Sequence, residues 1–146
     1  MRKELYLDLC EQLKLVDGGA VKHVDLWNQN VQFIEQEESF PMPAVFVEFG
    51  PIEWKPLANG VEYRAEPLVH LHVVTEWKGS AAHGSASLEE SLEVFGLLRH
   101  IHERLACMSG DEYLQLDLVG SQTNHNHEDI VENVETYQCV AIRRME

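Results

Sequence analysis

Between Val61 and Trp77 the chain alternates almost residue by residue, and this run constrains the fold more than any other. Tyr63, Ala65, Val69, Leu71, Val73 and Trp77 fall on one parity. Glu62, Arg64, Glu66, His70, His72 and Glu76 fall on the other. A period of two belongs to a strand with one face against a core and one toward water. Ahead of it, Ala44-Val-Phe-Val-Glu-Phe49 is apolar on both parities, which suits a more central strand. Between the two runs lies Asn59-Gly60, a dipeptide that accepts the positive φ angles of a tight primed turn. The expectation is a long β-hairpin from Pro43 to Trp77, bent or bulged at Gly50-Pro51.

The flanking segments supply helices and further strands. Leu5, Leu9 and Leu13 recur every four residues, giving a short amphipathic helix that ends at Asp17-Gly18-Gly19. Val21 to Trp27 suggests a short strand, while Asn28 to Phe40 fits either an irregular crossing or a helical turn. Phe40-Pro41-Met42-Pro43 is rigid and extended. Lys78 to Ala86 is a Gly/Ser/Ala-rich loop. Ser87 and Glu90 form a capping box. The helix they open places Leu88, Leu92, Phe95, Leu98, Ile101, Leu105 and Met108 on one broad face, with Gly110 at its C′ position. Leu114, Leu116 and Leu118 alternate as a half-buried strand. Gly120 to Asn133 is polar and acidic, and Val134 to Arg143 forms the last strand. Residues 1–146 then make a single α+β domain: a mainly antiparallel sheet with a long hairpin and two helices packed on one face.

Charge narrows the range of partners. The formal net charge is −14. That argues against holding a nucleic acid by its phosphates, or an anionic membrane, since both need clustered Lys and Arg. No apolar run approaches membrane-spanning length. Cys10, Cys107 and Cys139 are odd in number and widely spaced, and they read as reduced, buried thiols of a cytosolic protein.

Catalytic signatures are missing. There is no Gly-x-Ser-x-Gly, phosphate loop or dinucleotide fingerprint. Cys107 would lie at a helix C-terminus, where the dipole disfavours a thiolate, and Cys139 lies in an apolar strand. Glu89, Glu90 and Glu93 read as a solvated helix face. The eight histidines raise a metal question. His70 and His72 share the solvent side of a strand, and with Glu76 they spell H-x-H-x-x-x-E, similar to the first metal motif of cupins. That pattern wants a Gly where Arg64 stands, and its second motif is missing. Glu76 would also sit about 13 Å from His72 along a straight strand. His100 and His102 point about 200° apart round a helix. His125, His127, Glu128 and Asp129 form a looser cluster that suits either zinc ligation or a solvated turn. The expectation is therefore no cofactor, no metal and no enzyme, with a small cupin-like metal protein as the alternative.

The order of these elements resembles the tail terminator (tail completion) proteins of long-tailed bacteriophages and prophages. The resemblance is carried by Phe40-Pro41 with Ala44-Val-Phe-Val-Glu48, by Pro67-Leu-Val-His-Leu-His-Val-Val74, by the Gly/Ser-rich break, and by one long helix followed by two closing strands. It implies a hexameric ring that caps the tail tube and offers a surface to the head connector. The implied partners are further copies of the chain, the tail tube protein and the head-connector protein. The implied location is the bacterial host cytoplasm and then the virion tail. Another head–tail joining protein is the nearest alternative. On this reading the hairpin and the acidic stretch of 124–135 are the expected contact or lumen surfaces. His125, His127, Glu128, Asp129, Glu132 and Glu135 are the residues in question. The like charge of Glu128, Asp129, Glu132 and Glu135 would let DNA slide without sticking, the alternative being a solvated loop.

Overall fold

The computed structural model describes residues 1–28, 40–124 and 130–145. Helix α1 (Arg2–Leu13) and a 3-10 turn (Val16–Gly18) lead into strands β1 (His23–Leu26) and β2 (Ala44–Phe49). Strands β3 (Lys55–Pro56), β4 (Glu62–Ala65) and β5 (Leu68–Glu76) follow, then helix α2 (Leu88–Leu105) and strands β6 (Tyr113–Asn124) and β7 (Ile130–Arg144). The strands form one sheet in the order β1-β2-β5-β7-β4-β3, with β6 also paired to β7. β1 and β2 run parallel; the other described pairs are antiparallel. This is the expected α+β architecture.

The central hairpin forms as its pattern demands. β2 pairs with β5 from Ala44↔Val74 to Phe49↔Val69, and β3 continues against β4 with Lys55↔Arg64. The first strand advances one residue further than the second between these ladders, so the Gly50–Trp54 segment holds a single-residue bulge. Pro67 interrupts the second strand because it has no N–H to donate. The break is only local: Ala65↔Ala141 and Leu68↔Gln138 keep one register against β7. The turn differs from the expected primed type. Gly60 N–H donates to the Leu57 carbonyl at 3.0 Å, and Gly60 adopts φ +70°. Asn59 Oδ1 accepts from the N–H groups of Val61 and Glu62 at 3.1 and 3.0 Å, so the Asn side chain shapes a four-residue loop.

One face of the sheet carries the main core. Val45 and Val47 from β2 meet Val69, Leu71 and Val73 from β5, and both helices close over them. Leu5, Leu9 and Leu13 are fully buried, at about 1.5–3 kcal/mol each. α2 enters the core on Val94, Leu97, Ile101 and Leu105. That corrects the expected face, since Leu92 and Phe95 are 42% and 50% exposed. Apolar residues cover more than half of this helix, and the position of α1 and the sheet decides which stripe is buried. The capping box is also absent. Ser87 Oγ donates instead to the Ser80 carbonyl at 2.6 Å and ties the preceding loop. Gly110 does not end the helix; Cys107 takes the left-handed conformation, at φ +62°.

The opposite face holds a second cluster, Ala44, Phe46, Val74 and Ile130, beneath Trp27, Phe40 and Met42. Two boundaries move from expectation. β6 continues to Asn124 and β7 begins at Ile130, so much of the polar Gly120–Asn133 stretch is strand. Gln115 at φ +54° and a register shift after Leu114 break the Leu114/Leu116/Leu118 alternation, leaving Leu116 buried and Leu114 47% exposed. Of the 28–40 segment, residues 29–39 lie outside the described residues.

Candidate functional site

His72 is the centre of a buried, hydrogen-bonded polar cluster. It projects from β5 on the face opposite the helices, across from Phe46 of β2 and Val134 of β7. Its Nδ1 lies 2.7 Å from Glu132 Oε2, and its Nε2 lies 2.8 Å from Glu48 Oε1. Two carboxylate acceptors on one ring select the doubly protonated imidazolium. Trp27 lies flat on the ring, with centroids 3.7 Å apart and planes 5° from parallel, a favourable seat for a cation. Burial by itself would lower the His72 pKa. The hydrogen bonds to Glu132 and then Glu48, with their charges, outweigh it and hold the pKa above its ordinary value. Asn124 Nδ2 donates to the second Glu132 oxygen at 2.8 Å.

The expectation that His70 and His72 face water is thereby corrected. His72 is 7% exposed because Trp27, carried in by β1, covers it. His70 is half-buried, with Nδ1 2.9 Å from Thr136 Oγ1. The cupin-like arrangement has no counterpart here, since both His72 nitrogens are engaged by carboxylates and Glu76 stands exposed at the strand's far end. Among the described residues no three His, Cys, Asp or Glu side chains converge as a metal site. His100 pairs instead with Asp17 at 2.8 Å.

The residues expected to line a lumen divide into two groups. His125, His127, Glu128 and Asp129 lie outside the described residues. Glu132 and Glu135 are inside the protomer, at 4% and 6% exposure. Glu135 accepts from Ser121 Oγ at 2.5 Å and Glu132 serves His72 and Asn124, so neither presents a bare carboxylate to solvent. Thr123 Oγ1 to Asn133 Oδ1 at 2.6 Å completes a set of polar rungs between β6 and β7. Asn133 Nδ2 and the Tyr137 hydroxyl have no partner among the described residues.

The thiols are free but differ from expectation in place. Cys139 is buried, Cys10 half-buried and Cys107 exposed. Burial pushes the Cys139 thiol up to about 11, which keeps it protonated and inert near neutral pH. Glu48 and Trp27 were not anticipated as partners of His72, nor Asn124 as a partner of Glu132. The available signal was Glu48 itself, a lone acid in an apolar strand whose hairpin register sets it against His70.

Two grooves flank this framework. One, about 470 Å³, lies beside α2 between Met42, Trp77, Val94 and Leu97. The other, about 440 Å³, runs along the hairpin past Lys55, Leu57, Arg64 and Leu68.

No family model and no curated protein matches the sequence. Among solved structures the chain is similar to one from the virion of a native gene transfer agent particle. The TM-score is 0.57 at 13% identity, and the match covers 94% of each chain. At that identity the likeness is one of fold.

Proposed function

We propose that this chain is a structural protein of a phage-type virion and acts as a tail terminator, a ring that caps the tail tube and presents a surface to the head connector. The observation that carries the reading is the likeness of fold to a chain of a gene transfer agent virion, which runs over 94% of both chains. The order of elements supports it independently through the resemblance carried by Phe40 to Glu48 and Pro67 to Val74. A capping ring works through shape and contact, so it requires no active site. The rigid sheet, cross-tied by His72 and by the β6–β7 rungs, provides a scaffold of the kind such a role needs. In this role the chain is made in the host cytoplasm, meets the tube protein and the connector protein, and remains in the virion tail. Its acidic surface keeps DNA and anionic membranes at a distance.

The test is genetic and visual. Deleting the gene from its phage or prophage should leave tubes of uncontrolled length without heads, and adding the purified protein to tubes should cap one end under the electron microscope. Tubes of normal length that join heads in the deletion would exclude the terminator role. Normal tubes that merely fail to join would favour another head–tail joining protein.

A further inference from the structure

A closed ring of identical chains needs one patch on each copy to dock on a different patch of the next. We infer that the hairpin end of one copy seats in the acid-rimmed groove beside α2 of its neighbour; this rests on the ring-forming reading above.

The groove has an apolar floor and a negative rim. Met42, Pro43, Trp77, Val94 and Leu97 line it, and Trp77 is 52% exposed. Asp17, Glu76, Glu90 and Glu93 stand at its edge. The basic side chains at this site are already engaged inside the protomer: Lys78 is 3.3 Å from Glu76, and the His100 ring is 2.8 Å from Asp17.

The hairpin end is the complement. Leu57 and Val61 flank its turn at 40% and 49% exposure, an apolar tip held in shape by Asn59. Lys55, Arg64, Arg143 and Arg144 surround it, four of the eleven Lys and Arg in the chain. Among the described residues, Glu53, Glu62 and Glu66 stand with them. Two copies carrying −14 each repel, and this is the end that repulsion spares. Its local ion pairs, Arg144 to Glu62 at 2.7 Å and Arg64 to Glu66 at 3.5 Å, have exposed guanidinium groups. Such pairs are weak in water and can be shared with incoming carboxylates.

The two patches cannot meet within one chain. They stand at opposite ends of the continuous β4–β5 strand, about 45 Å apart from Glu62 to Glu76. The contact is therefore heterologous, and its pre-shaped tip lowers the ordering cost of docking.

A mixing experiment with the full chain tests this. One variant, Val61→Asp/Arg143→Glu, disables the hairpin end. The other, Trp77→Asp/Glu90→Lys/Glu93→Lys, disables the groove. All five side chains are exposed, with Arg143 lying 5.5 Å over the Trp54 ring, and circular dichroism and thermal melting check that both variants remain folded. Sedimentation velocity to about 1 mM should show assemblies larger than a pair for the unmodified chain. Each variant alone should stay monomeric, and their equimolar mixture should form a one-to-one pair, because one intact tip meets one intact groove. Raising salt from low to high should weaken association about tenfold. An unmodified chain that stays monomeric, a variant that still assembles, or a mixture that does not pair overturns the inference. If folded variants lose self-association yet still cap tubes, the contact is wrong and the terminator role stands. If the mixture pairs but the unmodified chain never caps tubes, the contact stands and the role falls.

Discussion

Glu132 of β7 accepts a hydrogen bond from the His72 ring of β5 at 2.7 Å, where the two residues are only 4% and 7% exposed. A buried charge pair of this kind makes stability depend on pH with a definite sign. The folded-state pKa of His72 is raised above its unfolded value of 6.5. Its contribution is therefore complete below about pH 6.5 and is lost as pH rises through the higher folded value. Urea midpoints should fall between slightly acid and mildly alkaline pH, and His72→Gln should flatten that slope. An NMR titration that places the His72 ring below 6.5 would contradict the assignment. Glu132→Leu, which takes away the buried one of the two carboxylates on the imidazolium and leaves Glu48, should cost about 3–5 kcal/mol.

The core assignment separates two leucine-rich surfaces. Leu71 is fully buried between the sheet and both helices, so Leu71→Ala should cost about 2–5 kcal/mol. Phe95 is 50% exposed, and Phe95→Ala should change stability by less than about 1 kcal/mol. Equal losses in chemical denaturation would mean that α2 is rotated from the position described.

Cys107 occupies a position better suited to glycine. Its φ of +62° is the left-handed region, where an L side chain costs about 1–2 kcal/mol. Glycine gives back part of that gain through its freer unfolded chain. Cys107→Gly should therefore raise the denaturation midpoint, by about 0.5–1 kcal/mol, and also remove the exposed thiol. A loss of stability would show that the thiol makes a contact worth more than the strain.

How far the sequence discloses this structure follows from which interactions are local. The strand of Val61 to Trp77 was legible through its period and the place of its turn through Asn59-Gly60, though neither the break at Pro67 nor the turn's type was, and the spacing of Leu5, Leu9 and Leu13 marked α1. Other features depend on neighbours distant in the chain. The buried stripe of α2 is chosen by α1 and the sheet, not by the helix. His72 looks solvent-facing by parity, and only the parallel pairing of β1 with β2 brings Trp27 over it. Glu132 and Glu135 look like surface acids, because their partners Asn124 and Ser121 belong to a strand that the polar sequence does not announce.

Metal content follows from the same geometry. His72 has both nitrogens committed to carboxylates, and no ligand set converges among the described residues. Protein purified without a histidine tag should contain less than stoichiometric zinc, iron, nickel or copper. A stoichiometric metal that disappears in His70→Ala/His72→Ala would restore the cupin-like alternative. A metal lost only on changing His125 and His127 would place a site in the 125–129 segment.

The acidic residues of the closing hairpin give the last test, because a structural role and a charged-lining role predict different losses. Glu135 lies on β7 at 6% exposure and accepts from Ser121 Oγ, while β6 and β7 are joined by further rungs at Thr123–Asn133 and Asn124–Glu132. Glu135→Gln keeps the shape but replaces a charge-assisted hydrogen bond with a neutral one. The expected loss is about 1–3 kcal/mol, visible in the isolated protein as a lower urea midpoint. Ser121→Ala should lose a comparable amount, and the double variant should lose less than the two together, since both remove one interaction. If Glu135 instead lined a channel, Glu135→Gln would leave the isolated protein's stability unchanged and alter only how DNA passes the assembled tail. Additive losses, or none, would show that the Ser121–Glu135 rung does not hold this hairpin together.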